Sequence, residues 1–244
     1  MRFALVSDIH GNLTALEAVI ADIERRGVDF VVQGGDLALM GPRPAEVVDR
    51  VRELGWPGVV GNTDEALWRP EERDRLLEGA PTLAPLVDLI FGTYVPDSAG
   101  RLGDERIEWM KTLPPEHREG DDFALVHASP GDLWRAPMPD ADDEELASTY
   151  GPLAAPSAAY GHIHQPYVRV LDNLLVANSG SVGLPFDGDP RAAYLIVDDG
   201  KPSIVRVEYD VEQEVKALKE AGHPDAERLA QMRRTGRFVQ PGAV

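Results

Sequence analysis

Seven side chains of metal-ligand type follow short apolar runs or glycines in this sequence. They are Asp8, His10, Asp36, Asn62, His127, His162 and His164. Imidazole nitrogens mixed with carboxylate and amide oxygens suit Mn²⁺, iron or Zn²⁺ better than Mg²⁺, which prefers oxygen ligands and retained waters. The set therefore indicates divalent-metal chemistry, provided that folding brings the seven side chains together.

Taken singly, each of these segments has an ordinary structural explanation. Asp8-Ile9-His10 fits a helix cap or a turn, Gly35-Asp36 and Gly61-Asn62 fit tight turns, and His127 fits a buried histidine. His162-Ile163-His164 is more informative, because side chains at i and i+2 of an extended chain point the same way. One shared site explains the joint pattern more simply than five separate coincidences, and it predicts a common metal centre.

Alternating strand and helix patterns in the first half predict how these residues are positioned. Strands are expected at 2–7, 28–32 and 58–60, with one helix from Leu13 after a capping Asn12 and another over 43–54. Strand, helix, strand, helix, strand predicts parallel pairing with right-handed crossovers. The ligands would then lie at the carboxyl ends of the strands, where sites form in open α/β sheets.

The remaining sequence is predicted to be mainly helical over 64–118 and richer in strands thereafter. Those strands are expected at 122–127, 157–161, 166–171, 174–177, 192–198 and 203–209. The Pro-, Gly- and Asp-rich stretch 130–157 fits either a solvated loop with a short helix or a cap over the site, with Trp134 and Arg135 near its mouth. With a helical tail over 211–236, residues 1–244 are predicted to form a single domain.

Composition excludes several classes of function. Acidic residues outnumber basic ones by 42 to 24 in 244 residues, a net charge of −18, which argues against an extended nucleic-acid or anionic-membrane surface. No apolar stretch approaches the roughly 20 residues that cross a bilayer, there is no cysteine, and the first predicted strand leaves no room for a signal peptide. We expect a cytoplasmic protein, with a homo-oligomer left open.

The order of the motifs resembles that of the calcineurin-like metallophosphoesterases, in particular the small bacterial-type phosphodiesterases. That family runs Asp-x-His, Gly-Asp, Gly-Asn-His-Asp/Glu, His and Gly-His-x-His. The corresponding segments here are Asp8-Ile9-His10, Gly35-Asp36, Gly61-Asn62-Thr63-Asp64, His127 and Gly161-His162-Ile163-His164. The resemblance covers residue 1 to about 210 and includes Asn178 to Gly183, which fits either a turn or a support of the site. It implies a four-layer α/β/β/α sandwich of two mixed β-sheets flanked by helices.

The resemblance also implies a ligand set and a reaction. One metal would be bound by Asp8, His10, Asp36 and His164, and a second by Asp36, Asn62, His127 and His162. The implied reaction is hydrolysis of a phosphodiester, or a phosphomonoester, by direct attack of a metal-bound hydroxide on a phosphorylated small molecule or nucleotide. His10, Asp36 and Asn62 would be the catalytic residues, and Arg135 is the basic residue predicted to contact phosphate.

One residue departs from the family pattern, and two other functions stay open. The family's usual histidine after Gly-Asn is Thr63 here, and threonine cannot act as a general acid near neutral pH, which disfavours monoesters with poor leaving groups. The first alternative is a phosphoanhydride or phosphoprotein phosphatase on the same metals. The second is a non-catalytic interaction protein on the same fold, as in the retromer subunit.

Overall fold

The computed structural model describes residues 1–242, in which nine strands form two sheets. The strands are β1 Arg2–Val6, β2 Phe30–Gln33, β3 Glu116–Glu119, β4 Phe123–Val126, β5 Ser157–Tyr160, β6 Tyr167–Val170, β7 Leu175–Asn178, β8 Ala192–Asp198 and β9 Lys201–Val207. The first sheet has the order β2-β1-β8-β9 and the second β3-β4-β5-β7-β6. Both are mixed: β1 and β2 run parallel, as do β4, β5 and β7, while the other pairs are antiparallel.

Helices cover the outer faces of the two sheets. They are α1 Leu13–Arg26, α2 Pro44–Leu54, α3 Asn62–Glu65, α4 Glu72–Gly79, α5 Ala84–Leu89, α6 Val95–Leu102, α7 Asp104–Met110, α8 Asp143–Tyr150, α9 Val211–Glu220 and α10 Ala226–Thr235. One π-helical turn, Ile90–Tyr94, joins α5 to α6. Apolar side chains of α1 and α2 pack on the first sheet and those of α8 on the second, while Phe3, Leu5 and Leu125 fill the space between the sheets. This arrangement confirms the predicted α/β/β/α fold class.

Asn12 shows how local sequence sets the direction of the chain beside the predicted ligands. Its side-chain oxygen accepts a hydrogen bond from the Ala15 N–H at 2.9 Å, which caps α1, and its amide donates to the Gly183 carbonyl at 3.1 Å. A cap satisfies one of the unpaired N–H groups of the first helical turn. The predicted cap is therefore present, and it also ties the start of α1 to the loop that precedes β8.

Two predictions about the first half are wrong. The strand expected at 58–60 is a single bridge between Gly58 and Gln33, because the Val60 N–H donates to the Pro114 carbonyl at 3.0 Å instead of extending a ladder. In the region expected to be helical, residues 116–119 form β3, which pairs with β4. β3 is polar and has no local strand pattern, so long-range pairing decides its conformation.

No single helix among the described residues is long and apolar enough to cross a membrane. One pair, Glu72–Gly79 and Pro81–Leu102, reaches the required length and composition only together, and it bends by 118° at the junction.

The helices α9 and α10 pack on each other and on the body of the protein, as the prediction of a helical tail anticipates. Leu218, Leu229 and Met232 form a buried cluster with Leu184. The Thr14 hydroxyl donates to the Glu214 carboxylate at 2.8 Å, which ties α9 to α1. The tail therefore covers part of the first sheet's helical layer.

Acid is expected to weaken this C-terminal packing through His223, which lies between α9 and α10. Burial lowers the pKa of His223 to about 4. The carboxylate of Asp97 opposes this shift, while the guanidinium groups of Arg233 and Arg101 lower the pKa further. The unfolded chain titrates near 6.5, so it binds more protons than the folded chain between these values. His223 therefore contributes stability above pH 6.5 that is lost as the pH falls towards 4.

We expect a loss of roughly 2 kcal/mol from this residue between pH 7 and pH 5. Urea unfolding of the metal-free wild type and of His223→Asn at both pH values measures it, and the difference between the two proteins isolates this histidine from the others. Equal losses on acidification in both proteins would contradict the assignment.

Candidate metal centre

The seven predicted ligand residues meet at one edge of the two sheets. Asp8 and His10 come after β1, Asp36 after β2, His127 after β4, and His162 and His164 after β5, while Asn62 begins α3. Six of them are buried and His162 is half-buried. The two remaining histidines lie elsewhere, His117 in β3 and His223 in the C-terminal turn.

Four of these residues form one tight group, Asp8, His10, Asp36 and His164, in which one ligand atom from each lies within 4.8 Å of the others. The His164 Nε2 is 3.1 Å from Asp8 Oδ1, and the His10 Nε2 is 3.7 Å from Asp36 Oδ2. Atoms about 2.1 Å from a common ion lie roughly 3–4 Å apart. The first group therefore fits a single ion after small adjustments.

A second group shares Asp36 with the first. Asn62 Oδ1 lies 2.8 Å from His127 Nε2 and 2.9 Å from His162 Nδ1. Asp36 Oδ1 is 3.6 Å from His127 Nε2. One carboxylate oxygen of Asp36 thus faces each group, which is the arrangement that a bridging ligand needs.

Three of the histidines use Nδ1 for a hydrogen bond, which leaves the Nε2 lone pair directed at the ligand groups. Their Nδ1 atoms lie 3.0 Å from the Leu39 carbonyl for His10, 2.7 Å from the Gly34 carbonyl for His127 and 2.5 Å from the Leu184 carbonyl for His164. A carbonyl only accepts, so Nδ1 carries the proton of the neutral ring and Nε2 does not. The Nε2 atoms of His10 and His164 then face each other at 3.2 Å with no proton between them. A cation between these lone pairs removes their repulsion, so the donor set fits a metal.

Burial keeps two of the ligand histidines in the neutral state that metal binding requires. It lowers the pKa of His10 well below the ordinary histidine value and that of His162 to about 3, so both rings are neutral at neutral pH. Two effects oppose each other at His127, because burial lowers its pKa while the carboxylates of Asp36 and Asp8 raise it. The carboxylates together have the larger effect, so the pKa of His127 lies above its ordinary value. Burial raises the pKa of Asp8, yet His164 and the other histidines bring it below the usual range.

Five of the ligand residues have left-handed backbone conformations that non-glycine residues rarely adopt. The φ angles are 55° for Asp8, 49° for His10, 55° for Asp36, 64° for His162 and 57° for His164. Each such residue costs about 1–3 kcal/mol and persists only where the surroundings enforce it. The Asp8 and His10 N–H groups donate to the carbonyls of Gly35 and Asp36, both at 3.0 Å, and so hold the first two strand ends together. This concentration of strain is an independent indication of a functional site.

The left-handed angles show that the extended conformation expected for residues 162–164 is wrong. His162 and His164 are not in extended chain, because a tight turn forms in which the Ile163 N–H donates to the Gly161 carbonyl at 2.7 Å. The two side chains therefore diverge. His164 joins the group around Asp8, and His162 joins the group around Asn62.

Supporting residues hold the ligand loops, and some of them had no clear sequence pattern. Asp64 accepts hydrogen bonds from the Leu37 N–H at 3.0 Å and the Gly61 N–H at 3.3 Å. Asn178 donates to the Gly161 carbonyl at 2.5 Å, and Ser181 donates to the Asp8 carbonyl at 2.7 Å. The stretch from Asn178 therefore supports the site, which resolves the alternative left open by its sequence.

A small cavity of about 110 Å³ opens beside the ligands and includes His10, Asp36, Asn62, His162 and His164 in its wall. Since a water occupies about 30 Å³ in the liquid, the cavity has room for roughly four waters. The rest of the wall is largely apolar and comes from Met40, Leu86, Ile90, Phe186, Met232 and Phe238. A larger cleft of about 700 Å³ lies between α8 and the turn at 171–174, but no ligand residue lines it.

Within the described part of the chain, the segment 130–157 contributes no residue to the wall of this cavity, and α8 packs on the second sheet. Trp134 stacks on Phe91 with ring centroids 5.9 Å apart, and Arg135 is exposed. The phosphate contact predicted for Arg135 has no counterpart in the cavity wall, where the guanidinium group belongs to Arg228.

The chain is similar to known proteins in both sequence and structure. A model of the calcineurin-like phosphoesterase superfamily domain matches residues 1–200. An uncharacterized protein from Methanocaldococcus jannaschii is 33% identical, covering 86% of this chain and 88% of that protein. A phosphodiesterase from Escherichia coli is 26% identical, covering 84% and 91%. The crystal structure of a metallophosphoesterase from Sphaerobacter thermophilus, 29% identical, has a TM-score of 0.77 over 97% of this chain and 100% of that one. Both C-terminal helices lie beyond the stretch matched by the family model.

Proposed function

Because this chain belongs to the calcineurin-like phosphoesterase superfamily, we propose that it is a dinuclear metal-dependent phosphodiesterase acting on a phosphorylated small molecule or nucleotide. Membership of this family identifies the chain as a phosphoester hydrolase, and the structure contains a buried Asp/His cluster that fits a metal ion. The observation that carries the dinuclear proposal is the position of Asp36, whose two oxygens face two separate groups of histidines at 3.7 Å and 3.6 Å.

The first ion would be held by Asp8, His10, Asp36 and His164, and the second by Asp36, Asn62, His127 and His162. When bound, two divalent ions polarise a phosphoryl oxygen and make a water acidic enough to attack phosphorus near neutral pH. The shared carboxylate of Asp36 offsets the repulsion between the ions, which neutral imidazoles cannot do. Asp36, His10 and Asn62 are the proposed catalytic residues, since they line the cavity where substrate would meet the metals.

Thr63 disfavours phosphate esters with poor leaving groups. It is buried, lines the cavity, and its hydroxyl has no hydrogen-bond partner among the described residues. A threonine hydroxyl donates a hydrogen bond but gives up no proton near neutral pH, so the leaving group must depart as a stable anion. Activated diesters meet this condition, and so do phosphoanhydrides, which keeps the latter as the second candidate substrate class. A non-catalytic role is disfavoured because all seven ligand residues are present and converge.

The test combines metal analysis with a substrate panel. Protein stripped of metal, loaded with Mn²⁺ and dialysed is expected to retain two ions per chain and to hydrolyse bis(p-nitrophenyl) phosphate faster than p-nitrophenyl phosphate. Dinucleoside polyphosphates, cyclic nucleotides and a phosphopeptide complete the panel. Fewer than one bound ion per chain would refute the metal centre, and faster monoester hydrolysis would refute the diester preference.

A further inference from the structure

Arg228 brings a guanidinium group to the cavity that contains the ligands. It lies on α10, is 4% exposed, and lines the same wall as Asp36 and His164. No other arginine or lysine lines this cavity in the described part of the chain. Arg228 also lies beyond residues 1–200, so the family match assigns it no role.

The guanidinium is held rigidly by three hydrogen-bond acceptors. Its Nε donates to the Asp225 carboxylate at 2.8 Å, Nη1 donates to the Val239 carbonyl at 2.6 Å, and Nη2 donates to the Tyr94 hydroxyl. Nη1 also contacts the Met232 sulfur at 3.5 Å. Since Nη2 carries two N–H groups, one of them is left without a protein acceptor among the described residues. A fixed, nearly dry cation with a free donor is an anion-binding group.

A second donor on the same wall points to the same kind of ligand. Thr63 is 3% exposed, and its buried hydroxyl has no hydrogen-bond partner among the described residues. Buried polar groups without partners are rare and call for an explanation. The side chains of Leu86, Ile90 and Phe186, which line the same cavity, carry no hydrogen-bond acceptor. A ligand bearing several acceptor oxygens would satisfy both donors.

We propose that Arg228 binds a phosphoryl oxygen of the substrate and that the Thr63 hydroxyl donates to the same phosphoryl group. This inference rests on the proposed function, since it assigns the phosphoester a second point of attachment besides the metals. The C-terminal helix α10 then contributes a substrate-binding residue as well as covering the site. The low dielectric of the apolar wall strengthens the attraction between the guanidinium and the anion.

The experiment measures inorganic phosphate binding to manganese-loaded protein by calorimetry, with kcat and KM for bis(p-nitrophenyl) phosphate determined alongside. Arg228→Met is expected to raise the phosphate Kd roughly 10- to 100-fold, the range for a hydrogen bond to a charged group, with the manganese content unchanged. Arg228→Lys keeps the charge and should recover part of the loss. Thr63→Val is expected to weaken phosphate binding by a smaller factor, about 3- to 10-fold.

Arg234→Met is the matched control, because Arg234 is on the same helix, is 42% exposed and pairs with Glu212 at 2.7 Å, away from the cavity. It should leave phosphate affinity unchanged. If Arg228→Met does not fold, Arg228→Gln replaces it, because the amide can still donate to a neighbouring acceptor while the positive charge is lost, and the phosphate Kd should rise roughly 10-fold.

The outcomes separate this inference from the proposed function. Unchanged phosphate affinity in folded Arg228→Met, or in Arg228→Gln as its replacement, with full manganese content would overturn the inference and leave the proposed function standing. Wild-type protein that retains no manganese would overturn the proposed function, and this inference with it.

Discussion

Replacement of Asp36 by asparagine is expected to lower kcat/KM for bis(p-nitrophenyl) phosphate by about 10³-fold or more, roughly 4 kcal/mol of transition-state stabilisation. The Thr63 N–H donates to Asp36 Oδ1 at 2.9 Å, so the amide oxygen of asparagine should stay at that position. Its NH₂ group would then replace Oδ2, which lies 3.7 Å from His10 Nε2. A donor at this place excludes a cation, and the group around Asp8 should lose its ion first.

The stability of the metal-free protein provides a second measurement for this variant. Burial, together with the neighbouring charge of Asp8, raises the pKa of Asp36 above its usual value, so the ionised carboxylate is unfavourable in the metal-free fold. Asp36→Asn should therefore leave the Tm of the metal-free protein unchanged or higher, while manganese per chain falls to one or less. Asp49→Asn, on a carboxylate that is 48% exposed and pairs with Arg106, is the control and should retain activity. Wild-type turnover in Asp36→Asn would exclude the bridging role.

The second large effect is expected from one added methyl group, in Gly61→Ala. A Cβ at Gly61 would lie 2.1 Å from Asp36 Oδ1 and 2.2 Å from the Asp36 backbone nitrogen. The Gly61 φ angle is −97°, which any residue adopts, so the effect is purely steric. Relief requires Asp36 to move, because the three atoms nearest to the new Cβ all belong to that residue. We expect about 10²-fold lower activity, weaker manganese binding, and a loss of roughly 1–3 kcal/mol in the free energy of unfolding.

Gly100→Ala is the matched control for this substitution. Gly100 lies inside α6, and a Cβ there would meet no atom within 4 Å. Alanine at this helical position should be neutral or stabilise the protein by up to about 1 kcal/mol. Manganese titration and thermal unfolding of both variants test this prediction. Wild-type manganese affinity in Gly61→Ala would show that the loop tolerates the added side chain.

The metal centre is held together more by backbone than by side-chain packing. Left-handed residues at three strand ends and glycines such as Gly61 and Gly161 let separate loops approach within contact of the two carboxylates. The cost of these conformations is met by hydrogen bonds between loops, including those donated to Asp64. A site of this kind tolerates little change in the loops, even where the altered residue binds no metal.

The amino-acid sequence alone predicted which seven side chains come together and their order along the chain, and its resemblance to the family implied the fold class. Each ligand follows an apolar run, and the carboxyl ends of parallel strands meet at a common edge, so local patterns were enough to predict that Asp8, Asp36 and His127 converge. β8 was predicted at 192–198, the range it occupies, because a long buried strand is recognisable from its own residues. The cap at Asn12 was equally local.

The family resemblance already implied how the ligands divide, but only the tertiary structure showed how His162 and His164 reach different groups and what covers them. His162 and His164 separate because a left-handed turn replaces extended chain, and no side-chain pattern encodes that choice. Arg228 belongs to a helix whose basic residues have an ordinary explanation in the helix dipole, so nothing local distinguished it from its neighbours. It reaches the cavity because α10 packs back across the molecule, and such long-range packing depends on the whole chain at once.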